Sequence, residues 1–129
     1  MARPSVRLDS IEIPVADLKR ATAWYRSALG LECIWSDQLH ALLEAAAGVR
    51  ILLVATRDET RLGFHSSHSG VDHSVVDFHT DDLESLHAHL CSQHARVDEL
   101  GPPAHDWAPR GFGFFDSEGN RLGAYSYRR

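Results

Sequence analysis

Two stretches of the chain alternate apolar and polar positions with a period of two. In Ser10-Ile11-Glu12-Ile13-Pro14-Val15 the β-branched set is Ile11, Ile13 and Val15. In Val75-Val76-Asp77-Phe78-His79-Thr80 the corresponding set is Val76, Phe78 and Thr80. Alternation over this length predicts a strand with one face on a core. Each strand runs into an aspartate, Asp17 or Asp82, whose side chain can accept backbone N–H bonds where a helix starts. The period then changes. Leu18, Ala21, Tyr25, Ala28 and Leu29 fall on one face of a helix, and Gly30 supplies its stop. After Asp82 the face is thinner, with Leu83, Leu86 and Leu90 interspersed by His87, His89 and His94, which read as solvated surface.

The two aspartates lie 65 residues apart, and the later parts of the halves also correspond. Gly48-Val49-Arg50-Ile51-Leu52-Leu53-Val54 and Asp116-Ser117-Glu118-Gly119-Asn120-Arg121-Leu122-Gly123-Ala124-Tyr125 each read as a turn followed by a strand, with turn glycines 71 residues apart. The intervening segments, Ile34 to Ala47 and Val97 to Phe115, are each long enough for two short strands. Gly101-Pro102-Pro103 marks a loop, and Gly111 to Phe115 a strand. A repeat of this kind predicts a β-α-β-β-β unit used twice. The expected fold is α+β, with module one over about residues 5–57, a Gly-, Ser- and His-rich linker over about 58–72, and module two over about 73–129. Gly63-Phe64-His65 is a candidate short strand within the linker.

Composition narrows the functional classes. At 129 residues, with 43% hydrophobic and 24% charged positions, the chain suits one globular domain with a core of its own. A formal net charge of -5 argues against nucleic acid as a partner. The first ten residues carry charges and no apolar h-region, and the longest apolar stretch, Ile51 to Ala55, is far too short for a bilayer. A cytoplasmic protein is expected, with no membrane partner. Cys33 and Cys91 are then reduced thiols, expected at buried or half-buried positions.

Four segments carry a family resemblance: Ile13-Pro14-Val15-Ala16-Asp17-Leu18, Trp24-Tyr25-Arg26-Ser27-Ala28-Leu29-Gly30-Leu31, Phe78-His79-Thr80-Asp81-Asp82-Leu83 and Asp116-Ser117-Glu118-Gly119-Asn120. In order and spacing they resemble the vicinal oxygen chelate superfamily, which holds glyoxalases, bleomycin-resistance proteins and extradiol dioxygenases. The last segment is similar to the family's Asp-Pro-Asp-Gly-Asn turn, with Ser117 and Glu118 substituted. The resemblance implies two βαβββ modules forming a curled, mostly antiparallel sheet around a concave site. It also implies a homodimer and, in the enzymes, a divalent metal held by His, Glu or Gln on four inward positions. Those positions fall here on Ser10, Leu52, Val75 and Gly123, none a normal metal ligand. No cofactor is expected, and a metal is disfavoured.

Strand parity places other polar groups on the concave face: Glu12, Asp77 and His79 on the first strands, and Arg50, Arg121 and Tyr125 on the closing strands. Glu12 with Asp77, and Arg50 with Arg121, are repeat partners. The favoured reading pairs the acids with the arginines inside the cup; the alternative turns one of them to a charged ligand. His73 and His79 share parity but lie about 20 Å apart on an extended chain, so they cannot share an ion. Trp35, Trp107, Phe112, Phe114, Tyr125 and Tyr127 are aromatics that could bind a flat ligand, Trp107 from a loop that could serve as a lid. Trp24 and Tyr25 belong to the core side of the first helix.

Three functions compete. The first is metal-free binding or sequestration of a small molecule in the cup, by Glu12, Arg50, Asp77, His79, Trp107, Arg121 and Tyr125. The second is a metal-dependent lyase or dioxygenase with a site shifted to Glu12 and His79. The third is a non-catalytic interaction domain. Whether the protein is an enzyme stays open at this point.

Overall fold

The computed structural model describes residues 2–45, 48–102 and 109–127. The first module comprises β1 (Ser10–Val15), α1 (Leu18–Leu29), β2 (Glu32–Ser36), β3 (His40–Glu44) and β4 (Arg50–Ala55). Its four strands form one sheet in the order β1-β4-β3-β2, with β1 parallel to β4 and the other pairs antiparallel. In the linker, β5 (Phe64–His65) and β6 (Asp72–His73) pair as a short antiparallel hairpin. The second module comprises β7 (Val76–His79), α2 (Leu83–Ser92), β8 (Arg110–Phe115) and β9 (Arg121–Ser126), with sheet order β7-β9-β8. Again the first strand runs parallel to the closing strand. Among the described residues no helix is long and apolar enough to cross a membrane.

Local chemistry explains these elements. Ile13 and Val15 are fully buried, while Glu12 before them is exposed and Pro14 between them half-buried, as alternation on a half-buried strand requires. Asp17 accepts the Arg20 amide at 3.0 Å and caps α1. Gly30 ends it in a left-handed conformation (φ 68) that lets its own amide reach the Arg26 carbonyl at 3.1 Å. Ala21, Tyr25 and Ala28 form the buried face of α1. In α2, Asp82 caps by accepting the Ser85 amide at 3.1 Å. No glycine follows α2, and His94 takes the left-handed position beyond its end (φ 59).

The second module departs from the expected pattern in one strand. Among the described residues, the segment before β8 makes a single β-bridge, Val97 to Phe114. The Phe115 amide donates to Arg96 O, the Asp98 amide to Gly113 O and the Gly101 amide to Gly111 O, each at 2.9 Å. Between the last two bonds the register slips by one residue, so the ladder never becomes regular. Gly101 lies so close to β8 that an added Cβ would stand 2.6 Å from the Gly111 carbonyl oxygen. Pro102 follows, with no N–H to offer a ladder.

The core is continuous across both modules, with Tyr25, Leu43, Leu53, Leu90, Phe114 and Leu122 among its fully buried side chains. Trp24 stacks on Phe114 with ring centroids 6.3 Å apart. Phe112 and Phe114, candidates for ligand contact by sequence, are therefore core: they are 6% and 0% exposed, on the β8 face away from Gly111 and Gly113.

A polar knot joins the modules. The turn between β8 and β9 docks on the end of β1 and the start of α1. The Tyr25 hydroxyl donates to Asp116 Oδ2 at 2.6 Å, and Asn120 Nδ2 donates to Asp116 Oδ2 and to the Pro14 carbonyl, both at 2.8 Å. Asn120 Oδ1 accepts the Leu62 amide at 2.8 Å. Glu118 Oε1 accepts the Ala16 and Asp17 amides at 3.0 and 2.8 Å, while Arg20 Nε donates to Oε2 at 2.8 Å. Asn120 is 0% exposed, and so is the Glu118 side chain. Burial alone would raise the Glu118 carboxyl, but the bonds from Arg20, the Asp17 amide and Ser117 outweigh it and hold it at about 2. Burial, and then Asp116, push the Tyr25 hydroxyl well above the usual tyrosine range.

Candidate functional site

β1 lies at one edge of the four-stranded sheet and β7 at one edge of the three-stranded sheet. Between them lies a cavity of about 430 Å3. Module one contributes Leu8, Ile11, Leu31, Leu43, Val49 and Ile51; module two contributes Val76, Asp77, Phe78 and His79. The wall is thus mostly aliphatic, with one carboxylate and one imidazole. A second, shallower cavity of about 340 Å3 lies over the other face of β1, lined by Glu12, Pro14, Val54, Asp58, Thr60 and Leu62 among others.

The polar residues singled out from strand parity are not gathered at one point. Asp77 and His79 line the larger cavity and Glu12 the shallower one. Asp77 Oδ1 accepts from Ser74 Oγ at 2.5 Å. His79 stacks on Tyr127 with ring centroids 5.9 Å apart, and its Nε2 lies 3.8 Å from Asp81. Tyr125 pairs with His79 across the β7–β9 ladder. Burial, followed by the nearby charge of Asp77, raises the Tyr125 hydroxyl above its ordinary value. Trp107 lies outside the described residues.

The expected pairing of repeat partners is not what forms. Arg50 meets Glu44 at the neighbouring end of β3, at 3.4 Å. Arg121 meets Asp98 at 3.1 Å and lies over the Phe115 ring, 4.6 Å from its centroid. Each arginine finds an acid within its own module, Glu44 on the adjacent strand β3 and Asp98 in the segment running beside β8. Sequence parity missed Glu44 and Asp98 because neither belongs to the repeated segments. Two other expectations need correction. Cys91 is exposed rather than buried. His87 is half-buried rather than solvated and bonds the Asp98 carbonyl at 3.0 Å; His89 is exposed as expected, with its ring bonding the Ser27 carbonyl at 2.8 Å.

The four positions that the resemblance assigns to metal ligands do not fit a divalent ion. Ser10, Leu52, Val75 and Gly123 offer one hydroxyl between them. Beside Gly123 an added Cβ would overlap Asp77 Oδ1 and stand 2.8 Å from Ser74 Oγ, so both side-chain ends would have to shift. Among the described residues no group of three or more His, Cys, Asp and Glu side chains is placed to hold a metal ion.

A family model described as the glyoxalase/bleomycin resistance protein/dioxygenase superfamily matches residues 7–123. The chain belongs to this superfamily. Solved structures agree in fold over nearly the whole length. A lactoylglutathione lyase from Agrobacterium tumefaciens is 18% identical, with a TM-score of 0.68 over 97% of this chain and 96% of its own. TnmS3, an antibiotic binding protein from Streptomyces sp. CB03234, is 16% identical with a TM-score of 0.72, over 97% and 98% of the two chains. An integron cassette protein from the mobile metagenome of V. Cholerae is 25% identical with a TM-score of 0.71, over 99% and 100%. No curated protein matches the sequence. Within the superfamily the fold serves both catalysts and binders, so the side chains of this site have to carry the functional reading.

Proposed function

We propose that this glyoxalase/bleomycin-resistance-like protein binds and sequesters a small, largely apolar molecule without a metal ion. The observation that supports it is the cavity between β1 and β7. Its volume of about 430 Å3 suits a compact organic ligand, and its aliphatic wall with one acid and one imidazole gives burial plus orientation. TnmS3 shares the fold and binds an antibiotic, which favours a xenobiotic among the candidate ligands. Of the residues named from sequence, Asp77 and His79 are the orienting groups; Tyr125 stands beside His79. Glu12 lines the shallower cavity, while Arg50 and Arg121 are held by Glu44 and Asp98.

Thermal-shift screening of flat and amphipathic compounds tests the reading. A hit should bind saturably, be recovered chemically unchanged, and lose affinity in Val49→Trp, whose indole would occupy the cavity. Turnover of the hit, or undiminished binding by Val49→Trp, overturns it. Metal content is measured in parallel on a Cys91→Ser background after stripping and dialysis against Mn, Fe, Ni and Zn. One tight ion per chain, lost on changing Glu12 or His79, would instead assign a shifted metal site.

The same reading takes the protein as a cytoplasmic homodimer. Ile34, Trp35 and Leu39 support it: they are 48%, 53% and 58% exposed around the outer strand β2 and the turn into β3. An apolar patch at a sheet edge suits burial against a second copy. Sedimentation equilibrium should give a dimer for the parent and a monomer for Trp35→Glu.

A further inference from the structure

We propose that His87 and Cys91 on α2 form a two-donor site for a soft, low-coordinate d10 metal ion such as Cu(I). The two residues lie one helical turn apart, with Cys91 Sγ 3.9 Å from His87 Nδ1. The imidazole is held on two sides. Its Nε2 lies 3.0 Å from the Asp98 carbonyl oxygen, and its ring meets Phe112 edge-on with centroids 4.8 Å apart. A carbonyl only accepts, so the proton of the neutral ring sits on Nε2 and donates there. Nδ1 then presents its lone pair on the side of the thiol. Tethering the second ring nitrogen to a carbonyl is how metal-binding histidines are commonly oriented.

The spacing admits an ion between the two donors, and the donor types select which. With metal–sulfur and metal–nitrogen bonds of about 2.3 and 2.05 Å, a tetrahedral centre needs the donors about 3.6 Å apart and a linear one about 4.3 Å. The observed 3.9 Å falls between these limits, a bite met with small side-chain adjustment by a two- or three-coordinate ion. Thiolate with imidazole favours Cu(I) over hard, oxygen-seeking cations. The nearby Asp98 carboxylate is engaged by Arg121 at 3.1 Å. Cys91 is a free, exposed thiol, so the ion enters from solvent. On binding, the thiol releases its proton to water, sulfur and Nδ1 each donate an electron pair, and no oxidation state changes. No residue of α2 lines the cavity between β1 and β7, so the site stands independently of the ligand-binding reading.

The test is anaerobic transfer of Cu(I) from its coloured bicinchoninate complex to the full-length reduced protein. The expected result is one Cu(I) per chain, retained by Cys33→Ser and abolished by Cys91→Ser. His87→Gln should weaken it about 10- to 100-fold, as loss of an ordered ligand does. Iodoacetamide mapping adds a readout that needs no variant: Cu(I) should protect Cys91 and leave Cys33 reactive. Equal alkylation of Cys91 with and without Cu(I), full binding by Cys91→Ser, or unchanged affinity in a folded His87→Gln protein would each overturn the site.

Discussion

Glu118 offers the sharpest test of how the two modules are held together. Its carboxylate is covered, accepts two backbone amides at the start of α1 through Oε1, and meets Arg20 through Oε2. The carboxyl is held at about 2 against an ordinary value of 4.5. That difference corresponds to at most about 3 kcal/mol of folding stability, an upper bound because the Arg20 side chain is 55% exposed and screened by water. A carboxyl depressed in the folded state contributes stability above its unfolded value. That contribution is lost as pH falls from 4.5 through about 2. Glu118→Gln isolates the charge, because its amide oxygen can still accept both backbone N–H groups. It should lower stability at pH 7 by about 1–2 kcal/mol, seen in urea or as a fall of about 3–10 °C in Tm. Its stability should also change less than that of the parent between pH 4.5 and 2. Glu118→Ala should be worse by a further 1–2 kcal/mol or so, since it strands two amides. Chemical unfolding of the three proteins at pH 7 and pH 3 decides the matter. If Glu118→Gln matches the parent at pH 7 and follows the same acid profile, the carboxylate does not hold the modules in the way described.

Tyr25→Phe should cost about 2 kcal/mol, because it removes a 2.6 Å bond to a buried carboxylate. The raised Tyr25 hydroxyl contributes stability below pH 10 that is lost at higher pH, so the variant should show a smaller alkaline fall in Tm than the parent. Gly123→Ala should be near neutral, within about 1 kcal/mol in urea unfolding, because its methyl displaces only the ends of the exposed Asp77 and half-buried Ser74 side chains; a larger loss would show that the Ser74–Asp77 pair is rigidly held. Asp17→Ala should lower stability by about 1 kcal/mol through loss of the α1 cap, measured in the same way.

The repeated pattern of the sequence was enough to determine most of the elements. Alternation at Ile11, Ile13 and Val15, the aspartate caps and Gly30 are local signals, set by backbone geometry within a few residues. They led to both helices, to the strands of module one and to the turn at 116–120, and the family resemblance placed its four ligand positions on residues without ligating side chains. Where the local signals conflicted, as at Gly101-Pro102 before β8, the expected strand thinned to a single bridge. What no local pattern carries is which surfaces meet. Sequence parity put Glu12, Asp77 and His79 on one face, yet Asp77 and His79 line one cavity and Glu12 another. Glu44 and Asp98 reach the arginines across neighbouring strands, Glu118 reaches α1 from the other module, and His87 is turned toward Cys91 by the Asp98 carbonyl. Except for Glu44 with Arg50 and His87 with Cys91, these contacts join residues from different parts of the chain. They exist because packing the shared apolar core brings the strand edges together, and only the tertiary structure decides which polar groups are then close enough to pair.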